Sequence, residues 1–107
     1  MITINIYYTG EGKSDAKAFA DEMERSGIAS RIRAEKGNLR YDYFSPFNDE
    51  GTVLLIDSWE NQEAIDHHHS SPMMEEIAAL REKYNLHMKV ERYISDEYKA
   101  DEKFIRK

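Results

Sequence analysis

Three consecutive imidazoles, His67, His68 and His69, follow the chain's sole tryptophan, Trp59, within the stretch DSWENQEAIDHHHSSPMM, Asp57 to Met74. Imidazoles can hold a metal, move a proton or face solvent, and their spacing narrows the choice. Neighbouring helical residues diverge by roughly 100°, so three in a row on a helix cannot close on one metal. A helical ligand pair needs i, i+3 or i, i+4 spacing, and no pair of histidines here has it. No metal site is expected. With Ile65 as the inward direction, His68 points between Ala64 and Ile65 into the core. His69 borders Ile65 on the other flank, and His67 points outward above Glu63. His68 is therefore a candidate proton acceptor or donor in an apolar pocket, where small shifts bring its pKa near working pH. The alternative is a core histidine satisfied by one hydrogen bond. His69 reads as a rim residue and His67 as solvated.

The elements that must position these residues follow from hydrophobic periodicity. MITINIYYTG alternates with the strand period of two, Ile2, Ile4, Ile6 and Tyr8 on one side and Thr3, Asn5, Tyr7 and Thr9 on the other. From Ser14 the period becomes helical, with Ala16, Phe19, Ala20 and Met23 on one face. Gly27 ends or kinks that helix, and IASRIRAE adds a turn or two before Gly37-Asn38. LRYDYFSPF reads as a strand with Leu39, Tyr41 and Tyr43 on one side, and Pro46 puts its end near a sheet edge. TVLLIDSW is the most apolar stretch and the best central strand. Two helical pieces follow, split at SSP. Ser71 is expected to cap the second and Pro72 to take its first position, with Met73, Ile77, Leu80 and Tyr84 in one stripe. LHMKVERYI is the last strand.

The order β-α-β-β-α-β predicts an α+β, ferredoxin-like domain with a four-stranded antiparallel sheet over residues 1–95, and a charged tail over 96–107. Two helices cover one face of such a sheet. The other face, expected to carry several of Tyr41, Tyr43, Leu54 and Leu55, needs a partner, and a homodimer packed through its sheets would supply it.

Composition limits the function. A net charge of -6 argues against nucleic acid. No apolar run approaches the roughly 20 residues of a membrane span, no basic-plus-apolar signal pattern opens the chain, and the expected setting is the cytoplasm. The absence of cysteine excludes disulfides, thiolate chemistry and Cys-based zinc sites. There is no GxGxxG and no phosphate loop to support a flavin or nicotinamide, so no cofactor is expected.

AEKGNLRYDYF followed by LIDSWENQEAIDHHHSSPMM resembles the antibiotic biosynthesis monooxygenase (ABM) domain family. The pattern E-x-G-x-x-x-Y matches at Glu35, Gly37 and Tyr41. The acidic-x-W strand end matches at Asp57 and Trp59, and H-x-x-S-P-H at His68, Ser71 and Pro72, with Met73 in place of the second histidine. The resemblance spans Ile2 to about Ile94 and implies ferredoxin-like protomers dimerising through their sheets, a dimeric α/β barrel. It also implies one of several activities: cofactor-free oxygenation of phenols and quinols, haem degradation, or isomerisation of a phosphorylated sugar derivative. The haem-degrading branch needs an Asn on the first strand, a Trp on the second helix and a later His. Asn5 fits, but His68 and a position near Ala78 stand at the other two, so haem is rejected.

The expected activity is oxidation of a small aromatic, quinol- or polyphenol-type substrate by molecular oxygen. Such a substrate, once deprotonated, supplies its own electrons, and the protein holds it in a dry apolar pocket, accepts its proton and stabilises the oxyanion. The expected catalytic residues are His68 as proton acceptor and Asn5 as hydrogen-bond donor. Trp59, Tyr41 and Tyr43 would wall the substrate and His69 would stand at the rim. Two alternatives use the same chain: an isomerase of a small phosphorylated carbonyl compound, with Arg31, Arg33, Lys36 or Arg40 as its anchor, and a non-catalytic dimer that binds an aromatic ligand.

Overall fold

Alternating strands, amphipathic helices and two left-handed glycines together determine the architecture. The computed structural model describes all 107 residues. Strand β1 (Ile2–Thr9) leads to helix α1 (Asp15–Arg25) and the short helix α2 (Ile28–Arg33). Strands β2 (Asn38–Phe44) and β3 (Thr52–Trp59) precede helices α3 (Gln62–His69) and α4 (Met73–Lys83). Strand β4 (His87–Ile94) completes the sheet, and a 3-10 turn covers Lys99–Phe104. The four strands are ordered β2-β3-β1-β4, and each neighbouring pair is antiparallel. This is the ferredoxin-like α+β fold expected from the element order.

The α1 stripe is buried as its spacing requires: Ala16, Phe19, Ala20 and Met23 all lie in the core. Gly27, at φ 86°, breaks the helix in the left-handed region that glycine tolerates. The chain restarts as α2, which adds Ile28, Ala29 and Ile32 to the same core. From the sheet come Ile6, Tyr8, Tyr41, Val53, Leu55 and Trp59, and from the later helices Ile65 and Ile77. Each large side chain buried this way contributes roughly 1.5–3 kcal/mol. No helix is long and apolar enough to cross a membrane.

Register assigns the faces. Ile4, Asp57 and Tyr41 form one cross-strand row and Ile6, Leu55 and Tyr43 the next, all towards the helices. Tyr41, Tyr43 and Leu55 thus belong to the covered face, and of the four residues expected on the open face only Leu54 is there, opposite Tyr7. The β2 alternation also breaks at its start. The register shifts between Asn38 and Arg40, and Leu39 is half exposed instead of sharing the burial of Tyr41. The open face carries Thr3, Asn5, Tyr7, Phe44, Leu54, Ile56 and Tyr93, a mixed surface in which Phe44 and Tyr93 remain 40% and 51% exposed.

Helix α4 begins differently from the sequence expectation. Pro72 stands at the cap position itself, and the Ser71 hydroxyl is buried without a hydrogen-bond partner. The first turn is instead held through main-chain carbonyls, Met74 N–H donating to Ser71 O and Glu75 N–H to Pro72 O. The expected stripe survives: Ile77 is buried, and Met73, Leu80 and Tyr84 pack on the core. In the tail, Tyr98, Phe104 and Ile105 are exposed.

Candidate active site between the sheet and helices α3 and α4

Helix α3 is started by Asn61, whose side-chain oxygen accepts from Ala64 N–H at 2.9 Å. One turn on, Ile65 and His68 are its buried residues. His67 and His69 are exposed, so the three histidines divide as their helical directions require. The His68 ring lies against the Trp59 indole, with centroids 4.9 Å apart and planes tilted by 32°. Its Nδ1 is 2.6 Å from Oε2 of Glu35, a residue 33 positions earlier in the chain.

Glu35 is brought there by the turn between α2 and β2. Gly37 has φ 87°, and its carbonyl accepts from Glu60 N–H at 2.8 Å, tying this turn to the end of β3. A Cβ on Gly37 would stand 2.6 Å from the Ala64 Cβ. Only a glycine allows α3 to sit close enough for Glu35 and His68 to meet. The carboxylate fixes the tautomer with the proton on Nδ1, and Nε2, with no partner in the chain, keeps its lone pair for a guest. Burial lowers the His68 pKa below its usual 6.5, against the opposing pull of Glu35. Burial thus favours the neutral ring, the form competent to accept a proton.

A cavity of about 350 Å³ opens beside this ring. Its apolar wall includes Ile4, Ile6, Leu55, Trp59, Met74 and Ile77. Polar groups reach it from every side: Asp57 from β3, Tyr41 from β2, His68, His69 and Gln62 from α3, Arg81 from α4 and Arg92 from β4. The volume is near the lower end of the roughly 300–1,000 Å³ of small-molecule sites, which suits a guest of one or two rings.

Of the residues singled out from sequence, His68, Trp59, Tyr41 and His69 come together around this space. Tyr43 stands behind it: its hydroxyl is 3.0 Å from that of Tyr41, and it does not line the cavity. Burial holds both phenols well above their usual range, so neither is a proton acceptor. Asn5 does not join the site. It pairs with Ile56 and Glu91, out of phase with Ile4 and Ile6, and so faces the open side of the sheet, where its Oδ1 is buried without a partner. A catalytic pairing of Asn5 with His68 within one protomer is thereby excluded.

Glu35, Arg81 and Asp57 also belong to the site, and none of them has a role in the sequence reading. Glu35 appeared only as part of the E-x-G pattern. Arg81 follows the buried Ile77 by one helical turn, a position that already placed it inward. It donates to the Tyr8 hydroxyl at 2.9 Å and covers that ring. Asp57 shares the inward phase of Val53, Leu55 and Trp59. Burial raises its carboxyl to about 7, with the Trp59 indole N–H and Arg81 acting against the rise and Glu35 adding to it.

The sequence profile of the antibiotic biosynthesis monooxygenase family matches residues 1–80. The chain belongs to this family. YcnE of Bacillus subtilis, a candidate monooxygenase, is 29% identical over 48 residues, and the match spans 45% of this chain and half the length of that relative. Among solved structures, a candidate antibiotic biosynthesis monooxygenase from Deinococcus radiodurans superposes with a TM-score of 0.77 at 20% identity, covering 92% of this chain and 95% of the other. SnoaB of Streptomyces nogalater, a cofactor-independent oxygenase, superposes with a TM-score of 0.72 at 11% identity over the same shares. At these identities the superpositions establish the fold, and the ABM fold is the one the sequence led to.

Proposed function

We propose that this ABM protein is a cofactor-independent monooxygenase that oxidises a small aromatic quinol or polyphenol with molecular oxygen. The observation that carries the reading is the buried His68 imidazole, oriented by Glu35 at 2.6 Å and bordering a largely apolar cavity of ring-sized volume. In such a space a phenolic O–H transfers its proton to Nε2, and the resulting anion, stripped of water, is electron-rich enough to reduce oxygen. Trp59 and Tyr41 wall the ring and His69 stands at the mouth. In the balanced reaction the quinol gains one oxygen atom and becomes a hydroxyquinone, the second oxygen leaves as water, and the quinol supplies all the electrons.

An oxygen electrode tests this. A screen of hydroquinones and polyphenols should find at least one that consumes one O₂ per hydroxylated product without accumulating peroxide. A chain that converts a phosphorylated carbonyl compound with no oxygen uptake would be an isomerase instead. Tight aromatic binding under air with no product would make it a binding protein.

A homodimer through the open sheet face belongs to this reading. It is supported by the exposed Phe44 and Tyr93 on that face, apolar surface that a second copy would cover. Sedimentation velocity at micromolar concentration should give the mass of two chains, and a single-chain mass would remove this part of the proposal.

A further inference from the structure

Hydroxylation by oxygen needs two proton services at different atoms, and His68 supplies one. Something must take the phenolic proton, and something must give a proton to the oxygen that becomes the leaving group. The cavity holds a second buried titratable group that the deprotonation step does not use. Asp57 is 7% exposed and lines the same space as His68. It lies two residues before Trp59 on the inward face of β3, and Trp59 stacks on His68. Its hydrogen-bond partners are two neutral donors, the Trp59 indole N–H and, at 3.5 Å, Asn38 Nδ2 on Oδ1, and no cation neutralises it by direct pairing. A carboxyl buried in a cleft with no paired cation favours its protonated form, which can donate to an acceptor bound there.

We propose that Asp57 is the proton donor to the oxygen-derived group, acting on the bound peroxide while His68 acts on the phenol. The proposal rests on the quinol reading above. In the sequence it implies, Nε2 of His68 takes the phenolic proton. The anion passes its electrons to O₂, and a C–O bond forms at the ring carbon beside the oxyanion, leaving a peroxide anion. The Asp57 O–H protonates the distal oxygen. The hydrogen on the same ring carbon then leaves as a proton to the Asp57 carboxylate, the O–O bond breaks, and a second carbonyl forms. The departing hydroxide takes the proton held by His68 and leaves as water. Both side chains return to their starting forms.

The surroundings of Asp57 fit an acid that is still protonated near neutral pH. Burial raises it to about 7. The groups facing it are Glu35 from the turn before β2, Tyr41 from β2, Tyr8 from β1, His68 and His69 from α3, Arg81 from α4 and Arg92 from β4. Of these, Arg81 opposes protonation and Glu35 favours it. With the His68 pKa lowered and the Asp57 pKa raised, base and acid coexist in their working forms, the arrangement expected of an acid–base pair.

The test uses the whole protein, its Asp57→Asn variant and 1,4-naphthohydroquinone as the probe. Asn keeps the shape and can hydrogen-bond but has no proton to give. Without oxygen, both proteins should bind the probe, since its contacts with the apolar wall and with His68 do not involve the Asp57 proton. With oxygen, the variant should form hydroxyquinone roughly 10²-fold more slowly, and its rate should lack the fall that the native protein shows as pH rises through about 7. A variant that hydroxylates at the native rate, with the alkaline fall intact, overturns the proposal. Loss of anaerobic binding in the variant alone also overturns it, making Asp57 a positioning residue for the substrate. Absence of hydroxyquinone and of anaerobic binding in both proteins overturns the quinol reading itself.

Discussion

Replacing His68 by Gln should lower quinol turnover by roughly 10²- to 10⁴-fold, the usual weight of one general base, with far less effect on KM. Gln can occupy the space beside Trp59 and still hydrogen-bond Glu35, so the cavity should persist and the loss should fall on kcat. The pH dependence carries a second signature. Activity requires neutral His68, whose pKa is lowered from 6.5 by burial and held up by Glu35. The acid limb of the native profile should therefore lie below pH 6.5, with activity lost as pH falls and the ring protonates. Glu35→Gln removes the group that favours the charged ring, so that limb should move further down, and the weakened base should be slower on its plateau. Initial rates by oxygen uptake across pH 4–9, with far-UV circular dichroism to confirm folding, read both effects. An unchanged rate in the His68 variant would remove the imidazole from the mechanism and leave only the architecture.

Much of this site was legible in the sequence, and the reasons for the misses are physical. His68 was placed inward because helical direction is a local property, fixed by Ile65 three residues before it. Its partnership with Glu35 spans 33 residues. Periodicity cannot reach across that distance, and only the E-x-G pattern hinted at it. Asn5 was assigned to the site on resemblance to one branch of the family, although its own strand argued otherwise. The helices cover the face of Ile4, Ile6 and Tyr8, and Asn5 is out of phase with all three. The faces of Tyr41, Tyr43 and Leu55 were harder to assign. Alternation shows which residues share a side but not which side the helices take, and the bulge at Asn38–Arg40 blurred the phase of β2. Asp57 was readable as an inward carboxyl from its phase with Val53 and Leu55. Its raised pKa was not, because that depends on burial by helices far along the chain.

The close approach that makes the Glu35–His68 contact possible gives the second large effect. Gly37→Ala should destabilise the fold by about 2–5 kcal/mol, from two separable causes. A non-glycine residue at φ 87° costs roughly 1–2 kcal/mol in the left-handed region. The added Cβ would also stand 2.6 Å from that of Ala64, and overpacking of this kind costs typically 1–3 kcal/mol. Gly27 provides the comparison, since it has nearly the same φ of 86° but nothing within 4 Å of an added Cβ. Gly27→Ala should therefore show the backbone cost alone. The clash is specific to Ala64 on α3, one turn before His68, so relief by displacement would carry His68 away from Glu35 and lower activity along with stability. Ala64→Gly in the Gly37→Ala background removes the opposing methyl and should recover the packing part while the backbone part remains. Urea unfolding of the single and double variants measures the coupling between the two positions. If the two changes simply add, Gly37 serves its turn alone, and the contact with α3 is not what positions the catalytic imidazole.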